Sequence, residues 1–187
     1  CPYCDFNSHV RSGVDTAAWE AALLADLRFE AELAAGEPLD SIFFGGGTPS
    51  LFSGNSIQRI LQTLHQQYHV DSNCEITLEA NPGTTDSGRF IDFIAAGVNR
   101  LSIGTQSFNN TMLKKLGRIH DQQQAIQAFQ QARRAGFQNI NIDLMFGLPG
   151  QSQAQALNDL HQAIELQAEH LSWYQLTIEP HTHFYQF

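Results

Sequence analysis

Positive charge is what this sequence has least of. Among 187 residues there are 10 Lys plus Arg against 19 Asp plus Glu, a formal charge of −9 with His neutral. That balance argues against a general nucleic-acid surface and against a binder of anionic membranes, both of which depend on clustered cations. It leaves room for a local basic pocket. Charged residues of either sign reach only 16%, and glutamine supplies much of the remaining polarity. Long hydrophobic runs are missing: nothing approaches the ~18 apolar residues of a transmembrane helix. No secretory signal pattern is visible, and the chain reads as cytoplasmic. Cysteine is scarce, three in all, too few for a secreted disulfide framework. What is present is material for a core: 42% hydrophobic and 10% aromatic residues exclude wholesale disorder. The length predicts one domain, and an opening Cys1 in place of Met reads as a piece of a longer chain.

Two of the three cysteines form Cys1-Pro-Tyr-Cys4. A single C-x-x-C is compatible with half of a zinc site, a redox dithiol, the tail of an iron–sulfur motif or an inert pair. No second C-x-x-C or spaced His pair completes four zinc ligands. Cys74, opening an expected strand, reads as a small buried hydrophobe.

Helical and extended patterns alternate. Trp19, Leu23, Leu27 and Ala31 recur every four residues and predict a helix over about Asp15 to Ala35, capped by Asp15 and followed by Gly36. Strands are expected at Ser41 to Phe44, Glu75 to Glu79, Arg100 to Gly104, Asn139 to Phe146 and Leu171 to Ile178. Between them, apolar stripes such as Ile57, Ile60, Leu61 and Leu64 mark helices. Each gap holds one helical unit, so the expected fold is α/β with a parallel sheet, either a barrel or a doubly wound fold.

Strands of parallel sheets are usually apolar on both faces. Here Ile76 and Leu78 alternate with Glu75, Thr77 and Glu79; Leu101 and Ile103 with Ser102 and Gly104; Ile140, Ile142 and Leu144 with Asn141 and Asp143. Tyr174, Leu176 and Ile178 are expected to be the apolar face of the last strand, opposite Gln175, Thr177 and Glu179. Helices would cover the apolar face, leaving the polar one toward a shared interior that holds a polar ligand or water. Gly45-Gly46-Gly47-Thr48-Pro49 ends the first strand. It is neither a P-loop nor a dinucleotide fingerprint, but it lets a backbone approach a ligand closely.

Taken in order, Cys1-Pro-Tyr-Cys4, Gly45-Gly46-Gly47-Thr48-Pro49, Leu78-Glu79-Ala-Asn-Pro82, Gly104-Thr-Gln106-Ser-Phe108, Gly117-Arg118-Ile-His120 and Asn141-Ile-Asp143-Leu-Met-Phe-Gly147-Leu-Pro149 resemble the oxygen-independent coproporphyrinogen III oxidase-like family of radical S-adenosylmethionine (SAM) enzymes. The resemblance implies a partial open (β/α)6 barrel. Residues 1–187 would then be a radical-SAM core domain lacking its first strand and C-terminal region. It also implies a 4Fe–4S cluster on three thiolates, with SAM bound at the remaining iron and 5′-deoxyadenosyl radical chemistry. Cys1 and Cys4 match the second and third cluster ligands, and the first would lie four positions upstream. Tyr3 matches an aromatic SAM contact. The backbone of Gly46, Gly47 and Thr48 matches the stretch that receives the methionine amino group. Glu79, Gln106, Arg118 and Asp143 match polar SAM contacts, and Thr177 a backbone-type contact on the last strand.

The same family holds true oxidases and a heme-chaperone (HemW-type) branch. The oxidases carry an extra cysteine two positions after the last ligand, where this chain has Phe6. That departure, with Trp173-Tyr-Gln-Leu-Thr-Ile-Glu-Pro180, favours the chaperone branch. The resemblance then implies binding of heme or a porphyrin, delivery to membrane respiratory proteins and an electron donor for the cluster, with oxidase activity the alternative. It places the heme-binding segment further downstream, so His181 and His183 read as loop histidines.

Overall fold

The computed structural model describes residues 2–6, 13–34, 36–83 and 87–186. The chain alternates as expected: α1 (Thr16–Leu33), β1 (Pro38–Phe44), α2 (Gly54–Gln67), β2 (His69–Ala80), α3 (Ser87–Ala96), β3 (Arg100–Gln106), α4 (Asn110–Lys115), α5 (Gln122–Ala135), β4 (Ile140–Phe146), α6 (Gln153–Glu165) and β5 (His170–Gln175). The five strands are all parallel and lie in chain order, β1 to β5. Parallel neighbours need a helical crossover. Repeating that crossover in one direction curls the sheet into a half-barrel with helices outside.

The helix ends follow from local chemistry. The Asp15 carboxylate accepts the Ala18 N–H at 3.0 Å. Ser53 accepts the Ser56 N–H at 3.1 Å. Asp121 with Gln124, and Ser152 with Gln155, form reciprocal capping boxes at α5 and α6.

The core lies between sheet and helices. Leu78, Leu101, Ile103, Ile140, Ile142 and Leu144 meet Ile57 and Ile60 of α2, Phe90 and Phe93 of α3, and Phe129 of α5. Phe90 and Phe137 pack edge to face with centroids 6.3 Å apart. Cys74 is buried here, as its composition suggested.

The helix read over Asp15 to Ala35 is present as α1, and two expectations for β5 are corrected. The stripe of α1 does not form a buried face: Trp19 is 62% exposed. With Leu23 and Leu27 it borders an open apolar cleft of about 610 Å³ against Leu39, Phe43 and Phe52. The buried residue of α1 is Glu20, which forks onto the Arg59 guanidinium of α2 through Nε and, at 2.7 Å, Nη2. A spacing of four identifies one side of a helix but not what covers it. Next, β5 ends at Gln175, not Ile178; after Leu176 N–H donates to the Phe146 carbonyl at 2.9 Å the chain leaves the sheet. Finally, the faces of β5 are the reverse of those expected. Ser172 pairs with Asn141 on the polar face, so Tyr174, two residues on, points inward too, and Leu176, just past the strand, is buried beside Met145.

Phe90 is fully buried at the contact between α3 and the sheet. Phe90→Ala is expected to cost about 3–5 kcal/mol, read as a lowered denaturation midpoint in a chain that keeps its helical circular dichroism. A loss below about 1 kcal/mol would contradict this packing.

Candidate functional site

Alternation along the strands places Glu75, Thr77 and Glu79, Arg100, Ser102 and Gly104, Asn141 and Asp143, and Ser172 and Tyr174 on the uncovered face. Polar groups set into a sheet must find partners, and these do so in layers. At the base, Arg100 Nη1 donates to Thr77 Oγ1 at 3.2 Å, and its Nε lies 3.8 Å from Glu75. Above it, Asn141 Nδ2 donates to Ser102 Oγ at 2.9 Å, to Asp143 Oδ1 at 2.7 Å and to Ser172 Oγ at 2.9 Å. The Ser102 hydroxyl donates to Asp143 at 3.0 Å. Burial pushes the Asp143 carboxyl above the ordinary range, although the Ser102, Ser172 and Asn141 hydrogen bonds pull the other way.

The top layer gathers the loops at the C-terminal ends of the strands. Gly46 N–H donates to Glu79 Oε2 at 3.3 Å. Gly46 has φ 113, and a Cβ there would meet nothing within 4 Å, so this backbone faces open space. Burial raises the Glu79 carboxyl, and the charge of Asp143 adds to that. Arg118 Nη2 donates to Asn81 Oδ1 at 2.6 Å and to the Gly104 carbonyl at 2.8 Å. Asn81 Nδ2 in turn donates to Thr48 Oγ1 at 3.3 Å. One chain of hydrogen bonds therefore ties the glycine loop to the guanidinium. At Gly104 a Cβ would crowd Asn81 Oδ1 and Gln106 Nε2, both 3.2 Å away.

The cysteine-bearing segment docks on this layer. Tyr3 packs beside Met112, Leu116, Met145 and Leu176, lies 6.1 Å from the Phe184 ring and hydrogen-bonds Arg118. Phe184 N–H donates to the Pro2 carbonyl at 3.1 Å. Gly117, at φ 68, makes room: a Cβ would meet Pro2 at 2.8 Å. Cys4 is a free, half-buried thiol.

The structure therefore brings together Tyr3, Gly46, Gly47, Thr48, Glu79, Gln106, Arg118 and Asp143. Cys1 lies outside the described residues. Thr177 is exposed beyond the end of β5 and joins no hydrogen bond of this network among the described residues. Sequence reasoning missed Asn81, which bridges the glycine loop and Arg118. It also missed Tyr174, which hydrogen-bonds Gln106 and faces Asp143, Arg118 and Glu79. Asn81 was visible within the Glu79-Ala-Asn81-Pro82 motif; Tyr174 was hidden by the wrong parity for β5.

The group of side chains suits a ligand with both charges and hydroxyls. A guanidinium matches a carboxylate, carboxylates and open backbone groups match an ammonium or a ribose, and the buried Gln106 Oε1 has no hydrogen-bond partner among the described residues. The SAM zwitterion presents those groups. The sequence profile of the Radical SAM superfamily matches residues 1–163. The chain belongs to the radical SAM superfamily. Membership implies a 4Fe–4S cluster and SAM as cofactors. Among curated relatives, the chain is 52% identical over 185 residues to the heme chaperone HemW of Escherichia coli, covering 98% of this chain and 49% of that protein. It is 50% identical over 190 residues to HemW of Haemophilus influenzae, with the same coverage. This radical SAM chain thus spans about half the length of the curated relatives it matches. Among solved structures it resembles the coproporphyrinogen III oxidase HemN of Escherichia coli, with TM-score 0.84 and 29% identity over 96% of this chain and 42% of that one. The archaeal Elp3 of Methanocaldococcus infernus, at 18% identity and TM-score 0.72 over 93% of this chain and 46% of that one, shares the fold.

A carboxyl whose pKa is raised by burial destabilises the fold as pH climbs through its folded value, and the cost is absent below the ordinary carboxylate range. Asp143→Asn is therefore expected to be more stable than the parent near about pH 8 and to lose that advantage near about pH 3.5. Denaturant titrations at the two pH values check this; a variant less stable at the higher pH contradicts it.

Proposed function

We propose that this chain is the cofactor-binding part of a heme chaperone that carries a 4Fe–4S cluster and SAM and delivers heme to respiratory proteins. The observation that carries the reading is the 52% identity to a heme chaperone across 98% of the chain. Phe6, where the oxidase branch of the family has a further cysteine, points the same way.

In this reading Cys1 and Cys4 are two of three thiolates that hold the cluster. Tyr3, wedged between Arg118 and Phe184, keeps the cysteine segment against the sheet. Arg118 takes the SAM carboxylate, and the Gly46, Gly47 and Thr48 backbone receives its ammonium. Glu79, Asp143 and Gln106 share the remaining polar groups, and Thr177 offers a backbone contact at the rim. When bound, the cluster and SAM supply one-electron chemistry at the sulfonium. The protein's residues bind and orient them. The partners in this reading are heme or another porphyrin, membrane respiratory proteins that accept it and an electron donor, with the chain in the cytoplasm. No helix among the described residues is long and apolar enough to cross a membrane.

The likeness to coproporphyrinogen III oxidase supports a second reading, a radical decarboxylation of porphyrinogen propionates. One experiment separates the two. The full-length protein, reconstituted anaerobically, is titrated with heme and also incubated with coproporphyrinogen III, SAM and reductant. A Soret shift saturating near one heme per chain, with transfer to an apo-cytochrome and no vinyl product, is the expected result. Vinyl product without a Soret change would overturn the chaperone reading in favour of the oxidase.

A further inference from the structure

Gln106 sits at the centre of a three-residue turn. Ser107 N–H donates to the Thr105 carbonyl at 2.8 Å, and Gln106 has φ 62. A closed i to i+2 turn with positive φ at its centre is the rare and strained kind of γ-turn. The pairing of β3 with β4 slips at the same place, from Gly104 opposite Asp143 to Gln106 opposite Leu144. A long side chain persists in such a conformation only where its surroundings over-determine it.

Two buried side chains do this from opposite sides. Upstream, His120 Nε2 lies 3.0 Å from the Thr105 carbonyl, the same oxygen that closes the turn. A carbonyl only accepts, so the ring donates. Burial and the nearby Arg118 push its pKa down to about 4, leaving a neutral ring with the lone pair on Nδ1. Downstream, Asp159 of α6 accepts the Ser107 hydroxyl at 2.6 Å and the Phe108 N–H at 2.8 Å. Ser107 Oγ also accepts the Asn109 N–H at 3.0 Å. Asp159 is 1% exposed and His120 4%.

Both residues carry a burial cost. Burial raises the Asp159 carboxyl, and the only opposing effects are these two hydrogen bonds. His120 Nδ1 is buried with no partner among the described residues. Apolar residues at these positions would avoid those costs only by giving up the bonds to the turn, which would leave the Phe108 N–H without its acceptor. Departures of this kind are expected where a site, and not the core, sets the residue.

We propose that His120 and Asp159 are positioning residues that lock the Thr105–Phe108 backbone in the γ-turn and so aim the Gln106 amide into the cofactor layer beside Tyr174. His120 fixes the entry to the turn and Asp159 its exit. Neither residue lies on the open face itself. The proposal rests on the reading that Gln106 contacts SAM.

The test uses the full-length, cluster-reconstituted protein titrated calorimetrically with SAM. Q106A and D159A are each expected to weaken SAM by about tenfold or more. The Q106A/D159A double variant is expected to bind within about twofold of Q106A alone, because the two changes remove the same contact. H120Q keeps an N–H donor and is expected to stay near parental affinity, whereas H120L falls with D159A. S107A is the milder variant if D159A does not fold: it removes only the hydroxyl and should weaken SAM several-fold. Hydrogen exchange of a peptide spanning residues 105–108 should quicken in D159A and S107A, while the strands exchange as in the parent. Q106A that binds SAM like the parent overturns the assignment of Gln106 to the cofactor. Q106A weakened while D159A, S107A and H120L bind normally overturns the positioning roles. So do losses that simply add in the double variant.

Discussion

The structure depends on a parallel sheet that is covered on one face only. The apolar residues that β2, β3 and β4 send outward join one buried core with residues of α2, α3, α5 and α6, and that burial is the main stabilising term. The alternation that supplies those residues necessarily sends an equal number to the other side. On that side the strand centres meet no helix among the described residues, so the chain places groups that satisfy one another: Arg100 with Thr77 and Glu75, Asn141 with Ser102, Asp143 and Ser172. The polar interior is thus the counterpart of the core, produced by the same period of two.

This geometry also explains how the site is graded along the strands. Toward the N-terminal ends the inner groups are consumed by one another. Toward the C-terminal ends the loops add groups with capacity left for a ligand: the Gly46 backbone, which faces open space, the buried Gln106 amide oxygen, which has no partner among the described residues, and the Glu79 carboxyl. Elevated carboxyl pKa values follow the gradient. Asp143 and Glu79 are raised by desolvation, and each would gain from a cation or a hydroxyl donor brought by a ligand. Arg118 is the cation of this layer, held from behind by Asn81 and the Gly104 carbonyl.

Much of the fold was legible because alternation and caps are local. Asp15 announces its helix, and the strand faces of β2, β3 and β4 follow from Ile76, Leu101 and Ile142 against their neighbours. For β5 the signal failed, since Trp173 and Tyr174 are equally aromatic and hydropathy cannot tell which turns inward. The bond from Asn141 to Ser172 decides it, and such a pairing is invisible before the strands are in register. For α1 the stripe was real, but Trp19 has no cover among the described residues. Of the site, the carboxylates, Gln106 and Arg118 were legible as an ordered set of motifs. Asn81 and Tyr174 were not read as members, because their role is to orient neighbours across 33 to 68 residues of sequence, and local patterns carry no such distances.

The hydrogen bond from Phe184 to the Pro2 carbonyl joins two segments far apart in sequence across the mouth of an otherwise open sheet. Closing so long a loop is entropically slow, and contacts of this separation form after the local helices and adjacent strand pairs. The segment that carries Cys4 therefore acquires its seat only when β5 has been laid down. In a chain emerging from synthesis, docking of the Cys4 segment would be ordered in time behind β5, a sequence of events imposed by topology alone.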